Sequence, residues 1–232
     1  MQNLYFFLTI VNRSDDKEFL SFFERCEINN IYSMPARGTA ADTTLDLLGL
    51  ARSEKTVHVS LLSQSHMKSV IGGLTREMLI DIPGRGIALA VPLSSIGSRA
   101  ALDYFGGGHT RIHEKFAPES GESEEKKMEN TELIVVICER GHTDAVMDAA
   151  REAGARGGTV IHAKGTGSQY AKFFGLSIAE EKEMIYIVST TEKKAPIMKA
   201  IMDRSNADPE AHTITFSLPV TDTAGLRLSA SE

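Results

Sequence analysis

Among the runs in this chain that combine glycine with a cationic side chain are Ala36-Arg37-Gly38-Thr39, Pro83-Gly84-Arg85-Gly86, and Ala163-Lys164-Gly165-Thr166-Gly167-Ser168-Gln169. Glycine lets a backbone approach an anion closely and present N–H groups to it, with positive φ where the turn requires it. A guanidinium such as that of Arg85 grips phosphate at least as well as an ammonium does. These residue types suit the holding of an oxyanion, not the making of bonds. The plainer alternatives stay open at this point. Gly165 and Gly167 also suit a loop leaving a strand, and Gly84 and Gly86 a tight turn. No Ser/His/Asp, Cys/His or paired-carboxylate pattern stands out, so no catalytic residue is expected and the chain reads as a non-enzyme. His109 and His113 have helical ligand spacing but no third ligand, and the expectation is no metal. His162 alternates with apolar neighbours and reads as a satisfied strand residue. Met147, Met184, Met198 and Met202 read as packing.

The runs recur because the chain repeats. Arg37-Gly38-Thr39 returns as Lys164-Gly165-Thr166, 127 residues later, and Pro92 returns as Pro219 at the same offset. Gly49-Leu50 returns as Gly175-Leu176 at 126, which implies one residue dropped from the second loop. That period is too long for a solenoid unit and matches a small domain plus linker. The expected division is 1–98 for the first copy, 99–131 for a linker and 132–232 for the second copy. Gly106-Gly107-Gly108 opens the linker, which carries Glu119, Glu122, Glu124, Glu125, Lys126 and Lys127, a solvated composition. Ser95 to Tyr104 is a candidate extension of the first domain as a short helix.

The elements that must carry the glycine runs follow from periodicity. Leu4–Val11 and Leu133–Cys138 are apolar runs that read as central strands. Phe19, Leu20, Phe22, Phe23 and Cys26 define one helical face. Ala145, Val146, Ala149, Ala150 and Ala153 define its counterpart, closed by Gly154. Short strands follow at Ile31–Arg37 and Thr159–Lys164, then loops from Gly38 to about Glu54 and from Gly165 to about Glu181. Further strands are expected near Val57–Leu61 and Met184–Val188. Second helices are expected near Ser65–Met78 and Lys194–Asp203, the latter with Pro196 in its first turn. Final strands cover Ile87–Leu93 and Thr213–Val220. The order in each half is βαββαβ, the ferredoxin-like unit, with helices on one sheet face. Ile185, Ile187 and Phe216 are expected on the other face, against a second sheet. The fold class is therefore α+β, two tandem ferredoxin-like domains packed through their sheets.

The 232 residues carry a net charge of −6, which disfavours nucleic acid or an anionic membrane as partner. No apolar run reaches the ~18 residues of a spanning helix, so no membrane insertion is expected. Met1–Ile10 reads as a strand and not as a leader. Cys26 and Cys138 show no pairing pattern, which fits a reducing cytoplasm.

The stretch Gly154, Gly157, Thr159, Val160, Lys164, Gly165, Gly167 and Gln169 resembles the P-II nitrogen-regulatory signal proteins at the second strand and the base of their T-loop. Gly84-Arg85-Gly86 resembles that family's phosphate-holding B-loop, with Arg85 in place of its acid and Ile87 in place of its lysine. Ser168 stands where the family usually has arginine, and the loop is short and lacks the tyrosine-bearing tip, so uridylylation is not implied. Ala207-Asp208-Pro209-Glu210-Ala211 is expected at the second B-loop, without glycine.

The resemblance implies a non-enzymatic signal-transduction protein of nitrogen or central metabolism. It would sense an adenine nucleotide (ATP, ADP or AMP, with Mg and 2-oxoglutarate as further candidates). The implied binding residues are Arg37, Gly38, Gly84, Arg85, Gly86, Gly157, Thr159, Lys164, Gly165, Gly167 and Gln169. The effector would order loops 38–54 or 165–181, which would then engage a target protein, and the assembly would be a homo-oligomer. Since the first copy keeps the better B-loop and the second the better T-loop base, at most one competent site per chain is expected. A P-II-like module for a metal or another metabolite, and a structural ferredoxin-like assembly protein, are the alternatives.

Overall fold

The computed structural model describes residues 4–28, 31–39, 53–94, 131–164, 171–173, 176–178 and 181–226. The first half contains β1 (Leu4–Asn12), α1 (Asp16–Arg25), β2 (Tyr32–Gly38), β3 (Glu54–Ser63), α2 (Gln64–Arg76) and β4 (Gly86–Pro92). The second contains β5 (Thr131–Glu139), α3 (Thr143–Glu152), β6 (Thr159–Lys164), the short β7 (Ala171–Phe173) and β8 (Leu176–Ile178), and β9 (Glu181–Thr190). It continues with α4 (Thr191–Ala207), β10 (Ile214–Val220) and β11 (Asp222–Ala224). Each half is βαββαβ, so the α+β ferredoxin-like class stands.

The repeat persists in three dimensions. β1 pairs antiparallel with β3 from Leu4↔Ser63 to Asn12↔Lys55, and β5 with β9 from Thr131↔Thr190 to Glu139↔Lys182. Every partner in the second ladder is its counterpart in the first shifted by 127. The two ten-residue strands also end alike. Ser63 Oγ accepts the His66 N–H and Thr190 Oγ1 accepts the Lys193 N–H, each at 3.4 Å. A hydroxyl at this N-cap satisfies an amide that the first helical turn leaves open, so strand passes directly into helix.

The chain forms two compact units, and each takes a segment from the other half of the sequence. Unit 1 comprises residues 1–34, 55–130 and 219–232; unit 2 comprises 35–54 and 131–218. In unit 1 the strands lie in the order β2-β3-β1-β4-β11, with β11 paired to β4 from Asp222↔Ala90 to Ala224↔Ala88. In unit 2 the order is β10-β5-β9-β6-β2, with the end of β2 paired to β6 from Ala36↔Ile161 to Gly38↔Thr159. The expected linker lies, apart from Thr131, outside the described residues, as do the Ser95–Tyr104 extension, His109 and His113.

Each unit has its own core under its helices. In unit 1, Tyr5, Phe7 and Val11 of β1 pack with Phe19, Phe22, Phe23 and Cys26, with Met67, Val70 and Leu74 of α2, and with Ala224. In unit 2, Ile134, Val136 and Cys138 of β5 pack with Val146, Met147 and Ala150 of α3, and with Ile197 and Ile201 of α4. Ile185 and Ile187 belong to this core and are fully buried. They therefore face the helices, contrary to the expectation that they meet a second sheet. The cause is register: residues of β9 alternate between faces, and Ile185 opposite Val136 fixes which set points to the helices.

Two further expectations are corrected. Pro196 is not in the first turn of α4, because the Thr190 cap starts that helix at Thr191 and leaves the proline in its interior. The loop 165–181 holds a short hairpin, with Ala171↔Ile178 through Phe173↔Leu176 in register. Gly154 closes α3 as expected, at φ +98, the left-handed conformation that favours glycine at a helix end.

Candidate anion-binding site

At the end of unit 1 where β1 stops, Asn12 and Lys55 share the last rung of the β1–β3 ladder. Lys55 Nζ donates to Asn12 Oδ1 at 2.5 Å. Asn12 Nδ2 donates to the Gly84 carbonyl at 2.9 Å and to Asp15 Oδ2 at 3.3 Å. The ammonium is thus tied through one amide to the glycine turn before β4. Burial pushes the Lys55 pKa down, opposed by the charge of Asp15.

The turn needs both of its glycines. Gly84 has φ +86. Gly86 has φ +153, and a Cβ there would lie 2.7 Å from the Ile10 carbonyl oxygen, so no side chain fits. Between them, Arg85 places Nη2 3.1 Å from Glu18 Oε2, while its buried Nε makes no hydrogen bond. A partly desolvated ammonium, a guanidinium with an unused donor and a glycine backbone make a coherent anion-binding set.

The second copy has the same order of elements and different charges. β4 (Gly86–Pro92) and β10 (Ile214–Val220) begin and end 128 residues apart, one more than the offset that pairs Pro92 with Pro219, which puts His212 where the first copy has Gly84. The second B-loop is therefore Ala211–Ile214 and not the expected 207–211, because α4 runs on to Ala207 before a short 3-10 turn. His212 keeps the positive φ, at +40, without being glycine. Lys182 is the counterpart of Lys55, but its partner is the carboxylate of Glu139, which replaces Asn12. His212 Nδ1 lies 3.5 Å from the same Glu139 oxygen, and Asp208 pairs with His142 at 3.1 Å. Its lysine is already neutralised by a fixed acid.

Unit 2 holds the other expected residues. Gly38 faces Thr159 and Arg37 faces Val160 on the β2–β6 ladder. Beyond it, the Thr39 N–H donates to the Gly158 carbonyl at 2.8 Å. The Gly158 N–H donates in turn to Thr39 Oγ1 at 2.7 Å, and Arg151 Nη2 to the Thr39 carbonyl at 2.5 Å. Glycine at 158 has a packing reason, since a Cβ would meet Ile185, Tyr186 and Met147 at 3.1 to 3.2 Å.

The base of the first loop is thus paired to the start of β6, beside Glu183. That carboxylate is 3% exposed. Its Oε2 accepts from Thr143 Oγ1 at 2.6 Å and from the Gly141 N–H at 3.2 Å. Its Oε1 lies 3.6 Å from Arg37 Nη2 and 3.5 Å from His162 Nδ1. Lys164 ends β6 opposite Glu181. Gly165, Gly167 and Gln169 lie outside the described residues.

Sequence reasoning missed Asn12, Lys55 and Glu183. For Lys55 a signal was present: it and Lys182 occupy the same place in both copies, just inside the strand that follows the loop. Asn12 gave none, because its role depends on a rung of the ladder. Cys138 is a free thiol, pushed up to about 11 by burial and then by Glu183 and Glu139, and it is not a nucleophile at neutral pH.

Two ferredoxin-like βαββαβ repeats, the first with a glycine turn beside Lys55 and Arg85, define an α+β protein. The family model described as nitrogen regulatory protein P-II matches residues 131–230. Among solved structures, a PII-like signalling protein of Thermus thermophilus is 15% identical, with 40% of this chain and 85% of that chain covered and a TM-score of 0.30. Arabidopsis thaliana PII bound to citrate is 22% identical over 40% of this chain and 77% of that one, with a TM-score of 0.31. CPII of Thiomonas intermedia, bound to ADP, AMP and bicarbonate, is 18% identical over 42% and 96%, with a TM-score of 0.32. A sequence search of curated proteins gives no match. No helix among the described residues is long and apolar enough to cross a membrane.

Proposed function

We propose that this chain is a non-enzymatic P-II-like regulator that senses an adenine nucleotide, with a small carboxylate metabolite as a further effector, through one site per chain. The phosphates would sit at the Gly84-Arg85-Gly86 turn, held by its backbone N–H groups, by Lys55 and by Arg85. The observation that carries this reading is the contrast between two equivalent lysines. Lys55 is hydrogen-bonded to a neutral amide and Lys182 to a carboxylate, so of the two lysines Lys55 is the one whose hydrogen-bond partner leaves its charge uncancelled. Binding would bias the segments 38–54 and 165–181, and those segments would engage or release a target protein, in a homo-oligomer working in nitrogen or central metabolism. The second loop base, with Lys164, Gly165, Gly167 and Gln169, would belong to the same response.

A thermal-shift and calorimetric series with ATP, ADP and AMP, with and without Mg and 2-oxoglutarate, tests it. At a hundredfold excess over Kd, stabilisation of about 2.7 kcal/mol is expected. Lys55→Met, which keeps most of the stem, should weaken binding about tenfold or more, the loss of one charge-assisted contact. Lys182→Met should leave affinity unchanged. No response to any nucleotide, or equal losses in both variants, would overturn the proposal.

A further inference from the structure

Asp16, Ser33 and His58, distant in the sequence, meet inside unit 1. Ser33 Oγ lies 2.8 Å from His58 Nδ1, and His58 Nε2 lies 3.1 Å from Asp16 Oδ1. Ser33 is exposed on β2, whereas His58 is 2% exposed, with its ring edge-on to Phe23 at 5.7 Å between centroids. His58 Nε2 and Asp16 Oδ1 are buried and at ion-pair distance, without the alignment of a hydrogen bond, and neither has another hydrogen-bond partner. Thr9, opposite His58 on the β1–β3 ladder, is fully buried and its hydroxyl has none. Thr9, His58 and Ser60 line a cavity of about 10 Å³ with Phe7, Phe23 and Ile31.

The fold does not require this cluster. At the offset of 127, the counterparts of Thr9, Ser33 and His58 are Val136, Val160 and Ile185, all buried in the apolar core of unit 2, and Asp16 corresponds to Thr143. The same framework closes with aliphatic side chains in one copy and holds under-satisfied polar groups in the other. Buried polar atoms without partners cost stability, and such a cost retained at one copy alone calls for a use.

We propose that Ser33 is a nucleophilic modification site that accepts a short acyl group from an activated ester or thioester, with His58 as general base and Asp16 orienting the imidazole. The arrangement has the roles of an acyl-transfer triad, whose recognition rests on geometry and not on sequence order. A neutral carbonyl donor fits better than a phosphoryl donor, because the cavity beside His58 is lined by Phe7, Phe23 and Ile31 and by no lysine or arginine among the described residues. In the reaction Ser33 Oγ bonds to the carbonyl carbon and its proton passes to His58 Nδ1, while Asp16 stabilises the imidazolium. Collapse of the tetrahedral adduct breaks the bond to the leaving group, which takes the proton from His58. The products are O-acyl-Ser33 and the free alcohol or thiol. Burial favours the neutral imidazole that such a base needs. This modification is independent of nucleotide binding.

The test is incubation of the full chain with p-nitrophenyl acetate, read by intact mass and peptide mapping. One acetyl group on Ser33 is expected. Ser33→Ala, an exposed change that leaves the fold intact, should abolish that adduct. His58→Asn and Asp16→Asn should each slow it at least about tenfold, a modest share of what general-base assistance contributes. Circular dichroism establishes which of the two variants are folded, and Asp16→Asn, at the helix start, keeps the test decisive if the buried histidine change unfolds the unit. Acetylation confined to lysines in the wild type, or an unchanged rate at Ser33 in a folded Asp16→Asn or His58→Asn variant, would overturn the proposal.

Discussion

Protonating His58 would place a charge at a site that is 2% exposed. Burial lowers its pKa, and the Asp16 carboxylate only partly restores it. In the unfolded chain the imidazole titrates near its ordinary value of about 6.5. Above that pH it is neutral in both states and its contribution to stability is fully present. As pH falls below it, the unfolded chain binds a proton that the folded protein resists. Stability should then decline until the folded residue titrates as well. Urea midpoints measured from pH 7.5 down to about pH 5 should therefore drop, and His58→Asn should flatten the part of that slope due to this residue. The groups facing His58 are Asp16, Ser33, Thr9 and the ring of Phe23, so the acid on α1 is the charge that modulates it. None of this was legible from residues 16, 33 and 58 as a string, because they lie on three elements. The glycine positions were legible, since Gly84 and Gly86 meet a backbone demand that glycine alone meets easily.

The helices show how local signals and tertiary context share control. Both second helices begin at a hydroxyl cap that ends a strand, Ser63 and Thr190, and that signal overrides the proline used to place the start of α4. Pro196 consequently sits at the sixth helical position, where it removes the N–H that would reach the Glu192 carbonyl. The residue is exposed, so its replacement loses little packing. Pro196→Ala should raise stability by about 1 to 3 kcal/mol, read from the urea midpoint at unchanged m-value. A drop would mean that the proline is needed to shape the helix against Ile197 and Ile201. The strands were easier to place than the helix starts, because apolar runs such as Leu133–Cys138 identify a buried strand wherever its partners lie. Which face Ile185 and Ile187 occupy was not available, since a shift of one residue in register exchanges the faces.

At the scale of the whole chain, each unit is built from both halves of the sequence. Residues 219–232 complete unit 1, where the Thr221 N–H donates to the Ala90 carbonyl at 3.0 Å and the Gly225 N–H to Asp81 Oδ1 at 2.7 Å. Residues 35–54 complete unit 2. Deleting residues 222–232 should therefore act far away in sequence. It should speed hydrogen exchange in β4 (Gly86–Pro92), beside the glycine turn, and lower stability by on the order of 2 kcal/mol through lost ladder and loop hydrogen bonds. Unchanged protection of β4 would show that β11 adds nothing to unit 1. Composition, periodicity and the offset of 127 residues determined that one βαββαβ pattern occurs twice, because hydrophobic spacing and turn residues act over a few positions and survive duplication. Only the tertiary structure decided that Lys55 meets an amide while Lys182 meets an acid, that Ser33 meets His58, and that each unit borrows a segment. Those outcomes depend on strand register and chain exchange, where residues far apart in sequence compete for the same neighbours.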